Sequence, residues 1–268
     1  MPFNQQTTLP ARPVIPFIVQ ARSSSSRYAQ KVLRNFADNQ SLLEFQLMRL
    51  QKAFPSSPIV VATTTSEADQ FIENIAKKNG IACFRGDEHD VLDRFLTCCT
   101  HFNFTDYIVR VCSDNPFLQT GLLHNLIQTA LEKHPGSDYI SYSINRQPAI
   151  LTHFGFFAEM VKVDALRRVG KETSDRTYRE HVTNYIYRGP GESFKISWIP
   201  LEELSGHLDV IRLTIDSKDD FDNAQFVYKE WMALKEREDI SWADIISIVD
   251  DNVMLKERMK AQIKLYQK

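Results

Sequence analysis

Short apolar runs alternate with amphipathic stretches along the first half of the chain. The apolar runs are rich in β-branched and aromatic residues, and they predict strands at 17–20, 58–62, 81–84, 107–111 and 139–143. Between them, apolar residues recur with helical spacing and predict helices at 42–53, 67–79, 91–101 and 122–134. Strands and helices in this order form βαβ units, so the pattern predicts an α/β fold with a mainly parallel sheet.

Beyond about residue 145 the alternation becomes less regular. Strands are predicted at 154–163 and 194–198, on either side of a helical stretch at 179–187. A further strand is predicted at 210–215, and it ends at Asp216. We interpret the irregular part as an element inserted into the same domain rather than as a separate domain.

The two ends of the chain differ from its middle. The first residues contain Pro2, Pro10 and Pro13 without periodicity, which is typical of a flexible tail. From residue 219 the pattern is almost wholly helical, with Ser217 and Ser241 as candidate N-caps. The predicted organisation is a flexible tail (1–15), one domain (16–237) with an insertion at about 145–200, and a helical C-terminal extension (238–268).

Composition is that of an ordinary globular protein. With 268 residues, of which 43% are apolar, the chain can bury a full core. Its net charge of −2 gives no overall attraction to nucleic acid or anionic membranes, so neither is expected as a partner. No apolar run approaches the ~20 residues of a membrane span. The four cysteines lack CxxC spacing and no secretory leader is evident, which predicts reduced cysteines and a cytoplasmic location.

Several familiar catalytic motifs are absent from the sequence. It contains no GxxxxGK(S/T), GxGxxG, GxSxG or HExxH motif, and no zinc-type spacing of cysteine and histidine. In open α/β sheets, ligands bind in the loops that follow strand ends. The loops after the predicted strands are therefore the main candidates for a functional site.

The first of these loops is basic and rich in serine. It lies in the segment PFIVQARSSSSRYAQKVL, where Arg22, Arg27 and Lys31 follow the first predicted strand. A loop that enters a helix can turn all three cations toward one anion, helped by free backbone N–H groups. Several neighbouring cations suit a polyphosphate. The alternative is a solvated surface loop whose cations bind no ligand.

Two aspartates directly follow predicted strands elsewhere. Asp114 ends the segment YIVRVCSD, and Asp216 ends the segment VIRLTID. Parallel strands can bring these ends together despite their separation in the sequence, and two carboxylates can hold one Mg2+ ion. Beside a basic loop, such a pair suits a nucleoside triphosphate and indicates nucleotidyl chemistry. The alternative is that each aspartate is a turn former at a strand end.

Six ordered motifs resemble one family of enzymes. VQARSSSSRYAQKVL is similar to the family loop ARxGSxRLPGKxL, VATTTSEAD to VATSxxxxD, and FRGDEHDVLDRF to FRGSEDDVLDRY. Further along, IVRVCSDNPFL resembles IVRxTGDxPL, REHVTNYIY resembles EHVTPYIY, and RLTIDSKDDF resembles RxTVDTPEDF. The resemblance covers nearly everything from Phe17 to Trp231. It is to the cytidylyltransferases of the spore-coat polysaccharide biosynthesis protein F type, which are related to CMP-KDO and CMP-sialate synthetases.

The resemblance implies a fold and a reaction. The fold is a Rossmann-like, GT-A-like nucleotidyltransferase: a three-layer α/β structure with a mainly parallel mixed sheet and an inserted dimerisation element. In the implied reaction, an acceptor oxygen attacks the α-phosphorus of CTP in line and pyrophosphate leaves. The implied acceptor is an acidic sugar such as a nonulosonate, or a sugar or polyol phosphate, for surface polysaccharide biosynthesis. Mg2+ as cofactor and a homodimer are also expected.

The resemblance assigns residues position by position. Arg22, Arg27 and Lys31 match the triphosphate-binding loop, and Asp114 and Asp216 match the carboxylates that bind magnesium. These five are the predicted catalytic residues. The remaining matches are nucleotide-binding positions (Ala21, Ser24, Thr63, Arg85 and Gly86) and positions in the acceptor and dimer region (Glu159, His181 and Tyr185).

The chain departs from the family motifs at three places. Ser24 stands where the family has glycine, Tyr28-Ala29-Gln30 stands for LPG, and Cys112-Ser113 stands for TG before the metal-binding aspartate. Glycine is used where backbone must come close to a ligand, so the added side chains can crowd a phosphate. We expect an altered fit of the substrate rather than loss of activity, because the charged positions are all retained.

Two rival functions stay open at this point. In the first, the fold serves a sugar-nucleotide-dependent glycosyltransferase with Ser113-Asp114-Asn115 as its metal motif, and it releases a nucleoside mono- or diphosphate instead of pyrophosphate. In the second, the glycine losses leave a non-catalytic nucleotide-binding scaffold, which binds CTP without turnover.

Overall fold

The computed structural model describes residues 14–25, 27–191, 193–234 and 239–266. Of the flexible tail predicted over 1–15, residues 1–13 lie outside the described part of the chain. Val14 and Ile15 are described, and the Ile15 side chain is buried in the core. Within the described ranges, no helix is both long and apolar enough to cross a membrane.

One mixed sheet forms the centre of the described structure. The strands are β1 (Phe17–Gln20), β2 (Asn35–Ala37), β3 (Gln40–Ser41), β4 (Ile59–Thr64), β5 (Ala82–Gly86), β6 (Tyr107–Cys112), β7 (Tyr139–Ile144), β8 (Gln147–Pro148), β9 (Glu159–Lys162) and β10 (Ile196–Pro200). Along the sheet the order is β10–β7–β9–β6–β1–β4–β5, with β8 paired to β7, while β2 and β3 form a separate ribbon. Most neighbours are parallel, and β9 is antiparallel to both of its neighbours. The predicted mainly parallel sheet is confirmed.

Helices connect the strands and cover both faces of the sheet. In the described residues they are α1 (Leu42–Ala53), α2 (Gln70–Lys78), α3 (Val91–His101), α4 (Thr120–Lys133), α5 (Val163–Glu172), α6 (Arg176–Glu180), α7 (Asn184–Arg188), α8 (Lys218–Ala233), α9 (Trp242–Asp250) and α10 (Val253–Leu265). The predicted N-caps are confirmed, because Ser217 and Ser241 form capping boxes with Asp220 and Asp244. These bonds satisfy N–H groups that the first turn of a helix leaves free.

Two apolar cores lie on opposite faces of the sheet, because successive residues of a strand point in opposite directions. Phe17 and Val19 of β1 pack on one face with α1, α4, α8 and α9, whereas Ile18 packs on the other face with α3, α5 and α7. Cys98 and Cys99 are buried in the second core, and burial raises the pKa of each thiol to about 12. The helices and the sheet together form the predicted three layers.

The strand predicted at 210–215 is wrong. The segment is irregular, and the N–H of Ile215 donates to Asp114 O at 2.9 Å instead of to a neighbouring strand. The physical reason is the order of the sheet. The segment runs beside β6, and both edges of β6 are already paired, one with β1 and the other with β9. The segment runs beside the loop after β6, so Asp216 approaches Asp114 without a strand.

Two other predicted elements are only partly confirmed. The strand predicted at 154–163 is shorter, since β9 begins at Glu159. The helical stretch predicted at 179–187 is divided into α6 and α7 by a turn in which Val182 has a φ of 26°. A β-branched residue rarely adopts a positive φ, and here the Val182 side chain is fully buried. The turn thereby leaves the preceding His181 exposed.

Candidate active site

The sheet has a switch point at β1. After β1 the chain forms β4 on one side of it, and later forms β6 on the other side. Gln20 at the end of β1 is paired with Cys112 at the end of β6. The loops that follow these residues therefore begin side by side, in the crevice where ligands of open α/β sheets bind.

The five predicted catalytic residues line one cavity in this crevice. The cavity has a volume of about 180 Å³, and its wall includes Arg22, Arg27, Lys31, Asp114 and Asp216. These side chains come from three separate segments of the chain. The fold brings them together, while their catalytic roles remain predictions.

Lys31 joins the two acidic residues of this cavity, called here the phosphate cavity. Its ammonium Nζ donates to Asp114 Oδ2 at 2.9 Å and lies 3.8 Å from Asp216 Oδ1. It also donates to the backbone carbonyl of Ile215. The Lys31 side chain is nearly buried, so these contacts are screened less by water than surface ion pairs. One ammonium group thus holds the loop after β6 against the irregular segment.

The other two loop cations face different partners. Arg27 Nη2 donates to Asp216 Oδ1 at 2.8 Å, although 51% of the Arg27 side chain is exposed. Arg22 Nη2 donates instead to Glu180 Oε1 of α6 at 3.1 Å. Two of the three predicted phosphate ligands therefore pair with the predicted metal ligands, and Arg22 turns toward α6.

A buried network fixes the orientation of Asp216. The guanidinium of Arg212 is fully buried, and it donates to Asp216 Oδ2 at 3.0 Å and to both oxygens of Asp220 at 2.7 and 3.1 Å. Another Arg212 nitrogen lies 2.6 Å from His153 Nδ1, which accepts its hydrogen bond. Asp220 Oδ2 also accepts the backbone N–H groups of Asp216 and Ser217. One oxygen of Asp216 is therefore held by Arg212, and the other faces Arg27.

A buried aspartate that sequence reasoning missed anchors the basic loop. Asp69 accepts hydrogen bonds from Ser23 N (2.7 Å), Ser23 Oγ (2.5 Å), Thr63 Oγ1 (3.0 Å) and Thr64 Oγ1 (2.5 Å). Burial raises the pKa of Asp69, but the bonds from Ser23, Thr64 and Thr63 outweigh it and hold the pKa below its usual value. The signal in the sequence is the last residue of the motif VATTTSEAD, an aspartate that the similar family motif VATSxxxxD also has.

A larger cavity of about 620 Å³ adjoins the phosphate cavity and shares Arg27, Asp114 and Asp216 with it. We call it the acceptor cavity, because its wall contains His181, which is predicted to lie in the acceptor region. Its wall also contains Arg110, which is nearly buried and donates to Gln20 Oε1 at 3.1 Å, while Arg110 Nε has no hydrogen-bond partner. The other lining residues include basic, amide and apolar side chains: His181, Asn184, Tyr187, Arg188, Ile150, Leu151, Leu265 and Tyr266.

The three residues predicted for the acceptor region take different places. His181 lines the acceptor cavity. Glu159 is fully buried, where its carboxylate accepts hydrogen bonds from Arg110, Tyr139 and Thr183. Tyr185 packs in the second core, and its hydroxyl donates to Glu172 at 2.9 Å. Glu159 therefore reaches the cavity wall through Arg110, and direct acceptor contacts of Glu159 and Tyr185 remain predictions.

The remaining nucleotide-binding candidates lie around the ends of β1, β4 and β5. The Arg85 guanidinium donates to the carbonyls of Thr64 and Ser66 at 3.0 and 2.7 Å, and pairs with Glu73 at 3.1 Å. A Cβ on Gly86 would lie 2.8 Å from Arg94 Cγ, so a side chain there requires a shift.

Thr63 and Ala21 are buried, whereas Ser24 is exposed. The Thr63 hydroxyl donates to Asp69, and Ala21 N donates to Ala62 O at 3.2 Å. These groups thus serve the local structure of the strand ends. Roles of Ala21, Ser24, Thr63, Arg85 and Gly86 in nucleotide binding remain predictions.

One departure from the family motif falls on a special backbone conformation. Gln30, which stands for the glycine of LPG, has a φ of 56° and a ψ of 21°. This left-handed conformation favours glycine, because a Cβ crowds the following carbonyl there. The loop therefore keeps the backbone that a glycine would adopt easily, and it begins the short turn that presents Lys31.

The described residues offer two carboxylates for a cation. Asp114 and Asp216 face the same ammonium group, and no group of three or more His, Cys, Asp or Glu side chains that could hold a metal ion occurs in the described ranges. Mg2+ takes oxygen ligands and commonly binds one or two carboxylates together with substrate phosphates. The donor set fits an Mg2+ ion shared with a bound triphosphate, and it does not fit a metal held by protein alone.

Comparison with known proteins shows the family of this chain. The family model described as cytidylyltransferase matches residues 16–240. The chain is 36% identical over 234 residues to the uncharacterized protein MJ1063 of Methanocaldococcus jannaschii, which covers 87% of this chain and 88% of that protein. It is 32% identical over 243 residues to the spore coat polysaccharide biosynthesis protein SpsF of Bacillus subtilis, with 89% and 95% covered.

Solved structures agree with these sequence matches. A cytidylyltransferase from Leptospira borgpetersenii superposes with a TM-score of 0.77 at 26% identity, over 90% of this chain and 96% of that one. CMP:2-keto-3-deoxy-manno-octonic acid synthetase, solved with CTP, superposes with a TM-score of 0.61 at 12% identity, over 82% and 100% of the two chains. The second likeness shows the fold alone. The predicted Rossmann-like nucleotidyltransferase fold is confirmed.

Proposed function

Because the chain belongs to the cytidylyltransferase family, we propose that it transfers CMP from CTP to a sugar substrate and releases pyrophosphate. The proposed acceptor is an acidic sugar of the nonulosonate kind, or a sugar or polyol phosphate. The relative SpsF is by its name a protein of spore coat polysaccharide biosynthesis, which supports a product for a surface polysaccharide. The single observation that carries this function is the phosphate cavity, which gathers Arg22, Arg27, Lys31, Asp114 and Asp216.

Arg27 and Lys31 bind the triphosphate by exchanging partners. Their present partners are carboxylates, at 2.8 Å for Arg27 and 2.9 Å for Lys31. Phosphate oxygens accept charge-assisted hydrogen bonds from the same donors. These two cations, joined by Arg22, then neutralise the charge that develops on the leaving pyrophosphate.

Asp114 and Asp216 are the residues that would hold Mg2+ once their cations turn to phosphate. The ion would supply positive charge that offsets the negative charge of the triphosphate. Asp216 is buried, and a buried carboxylate that loses one partner costs stability unless another cation replaces it. Binding of the nucleotide and binding of the metal are therefore coupled through these two carboxylates.

The acceptor cavity supports an acceptor that carries an acidic group. Arg110 and Arg188 contribute positive charge to its wall, together with Arg27. Arg110 is nearly buried, and its Nε has no hydrogen-bond partner. Arg188 is exposed in the same wall, so a carboxylate or phosphate that binds beside Arg110 accepts charge-assisted hydrogen bonds from it. We therefore assign the acidic group of the acceptor to the Arg110 side of the cavity.

A homodimer formed through the inserted segment at 145–200 is part of the same proposal and rests on the resemblance. Sedimentation velocity of the full chain tests it. A monomer at micromolar concentration would contradict the dimer without bearing on the chemistry.

Release of pyrophosphate from CTP tests the transfer. The full chain is incubated with CTP and Mg2+ in the presence of single acidic sugars or sugar and polyol phosphates. We expect release that depends on one acceptor, with a CMP-linked product found by mass spectrometry. Asp114→Asn is expected to lower the rate about 100-fold or more. Asp222→Asn, the same change at an exposed position of α8, is the control and should keep the wild-type rate.

The rival functions give different products. Release of a nucleoside mono- or diphosphate from a sugar nucleotide would support a glycosyltransferase. The proposed chemistry would be contradicted by a chain that binds CTP but releases no pyrophosphate with any acceptor, and whose CTP affinity is unchanged by Asp114→Asn.

A further inference from the structure

Residues of the C-terminal extension reach the candidate active site. Leu265 and Tyr266, at the end of α10, line the same acceptor cavity as Asp114 and Asp216. The match to the cytidylyltransferase family model ends at residue 240. The part of the chain that matches the family therefore does not form the whole wall of this cavity.

Packing fixes the end of α10 in this place. Gln262 Nε2 donates to Asp219 Oδ2 of α8 at 2.8 Å, and Tyr266 N donates to Gln262 O at 3.1 Å as the helix ends. Apolar residues recur every four positions along one side of α10 and are buried in the core: Leu255, Met259 and Ile263. A docked helix thus positions Tyr266.

The ring of Tyr266 lies against two arginines that bind the same carboxylate. Its centroid is 5.7 Å from Arg27 Cζ and 5.1 Å from Arg212 Cζ. Arg27 binds one oxygen of Asp216, and Arg212 binds the other. The arginine that needs support is Arg27, because 51% of its side chain is exposed while that of Arg212 is fully buried. A long exposed side chain loses rotamer freedom when it is held in place, and a cation–π contact offsets that loss.

We propose that Tyr266 is a positioning residue, whose ring holds the Arg27 guanidinium at the phosphate cavity and so makes the C-terminal extension part of the active site. The consequence for CTP rests on the proposed function, in which Arg27 binds the triphosphate. The contact between ring and guanidinium does not depend on that function. Because the ring makes both contacts, phenylalanine can replace tyrosine at this position and leucine cannot.

Arginine side-chain NMR of the full chain tests the contact without any substrate. The Nε–Hε signal of Arg27 is assigned by its loss in Arg27→Gln. In Tyr266→Leu, we expect this signal to lose its ring-current shift, and its relaxation should report faster motion of the Arg27 side chain. Tyr266→Phe should keep the shift. Lys264→Ala, at an exposed position of α10, is the control and should leave the signal unchanged. An Arg27 signal that does not change in Tyr266→Leu would overturn the positioning role.

Calorimetric binding of CTP in the presence of Mg2+ measures the consequence. Tyr266→Leu is expected to weaken affinity about 2-fold to 30-fold, while Tyr266→Phe stays within about twofold of wild type. In the Arg27→Gln background, Tyr266→Leu should have little further effect, because Arg27 is then absent and the buried Arg212 is already held by Asp216 and Asp220. Equal losses in both backgrounds would show that Tyr266 acts through the general fold, and would also overturn the proposal.

The two proposals fail in different ways. A wild-type chain that binds no CTP contradicts the proposed function. The Arg27 signal then still decides whether Tyr266 positions this arginine, because that measurement uses neither nucleotide nor acceptor.

Discussion

The two aspartates of the phosphate cavity are held by different kinds of structure. Asp114 comes shortly after the regular strand β6, 26% of its side chain is exposed, and it binds Lys31. Asp216 lies on an irregular segment, only 6% of its side chain is exposed, and Arg212 and Arg27 bind its two oxygens. A strand positions the first aspartate through its backbone, whereas a buried side-chain network positions the second. Substitutions near Asp216 should therefore cost more stability than substitutions near Asp114.

Arg212→Met is expected to have the largest effect. It leaves the buried carboxylates of Asp216 and Asp220 without their arginine, which should lower the free energy of unfolding by about 3–5 kcal/mol. Urea unfolding followed by circular dichroism measures this loss. Lys218→Met removes an exposed ion pair of α8 and should leave the free energy of unfolding nearly unchanged. If Arg212→Met lowered the free energy of unfolding by less than about 1 kcal/mol, the buried network would not be what positions Asp216.

The same change at the two aspartates separates stability from activity. Asp216→Asn weakens charge-assisted bonds in a buried place and should lower the free energy of unfolding by about 1.5–3 kcal/mol. Asp114→Asn, at a more exposed position, should lower it by less than about 1 kcal/mol. Both variants should lose about 100-fold or more of the rate of pyrophosphate release. Equal losses of stability in the two variants would remove the distinction between the two sides of the cavity.

Asp69→Asn extends the comparison to the basic loop, which also depends on a buried carboxylate. At neutral pH the variant should lose about 1–2 kcal/mol of stability, because weaker hydrogen bonds then hold Ser23, Thr63 and Thr64. The folded-state pKa of Asp69 is lowered, so its carboxylate stabilises the fold above the unfolded value of about 4. That stabilisation is lost as the pH falls through the folded-state pKa.

Urea unfolding of wild type and Asp69→Asn across a pH series checks this dependence. The difference between the two proteins should be largest above about pH 4 and should shrink at lower pH. A difference that is constant down to strongly acidic pH would mean that the Asp69 charge does not stabilise the loop.

Gln30→Gly should have the smallest effect and the opposite sign. Glycine adopts the left-handed conformation of this position without the strain that a Cβ causes. The variant should therefore raise the free energy of unfolding by about 1 kcal/mol. The position belongs to the Asp114 side of the cavity, because it precedes Lys31, which binds Asp114. Gln128→Gly, at an exposed position in the middle of α4, is the matched control and should lower it by about 1 kcal/mol. Thermal unfolding of both variants measures the two shifts. Destabilisation by Gln30→Gly would show that the loop gains more from the Gln30 side chain than it loses in strain.

Five strands of the central sheet were predictable from the sequence. β1, β4, β5, β6 and β7 each begin and end within about two residues of the predicted runs, because apolar alternation reports local burial. The same signal was wrong for 210–215, since an extended apolar segment has this pattern whether or not a sheet edge is available to pair with it. The candidate catalytic residues were found because they stand in short motifs that follow predicted strands, although the strand predicted before Asp216 does not form.

Other parts of the site gave little or no local signal. Asp69 was visible only as one letter of a motif. Arg212, Asp216 and Asp220 stand in the motif RLTIDSKDDF, but nothing in it indicates that the arginine also binds His153 in one buried network. Tyr266 lies beyond every motif of the resemblance, and its place beside Arg27 follows from the docking of α10 on α8 and α9. Each residue has a partner from a distant segment, which is Ser23 for Asp69, His153 for Arg212 and Arg27 for Tyr266.

By itself, the sequence determined the kinds of element and the kinds of chemical group, because periodicity, capping and motifs depend on neighbouring residues. Only the tertiary structure decided which cation meets which carboxylate. Lys31 and Asp114 are separated by 83 residues, and Arg27 and Asp216 by 189. Their contacts require the strand order around β1, the path of the irregular segment beside β6, and the packing that holds α10. Those arrangements minimise the free energy of the whole chain, and no local stretch of residues specifies them.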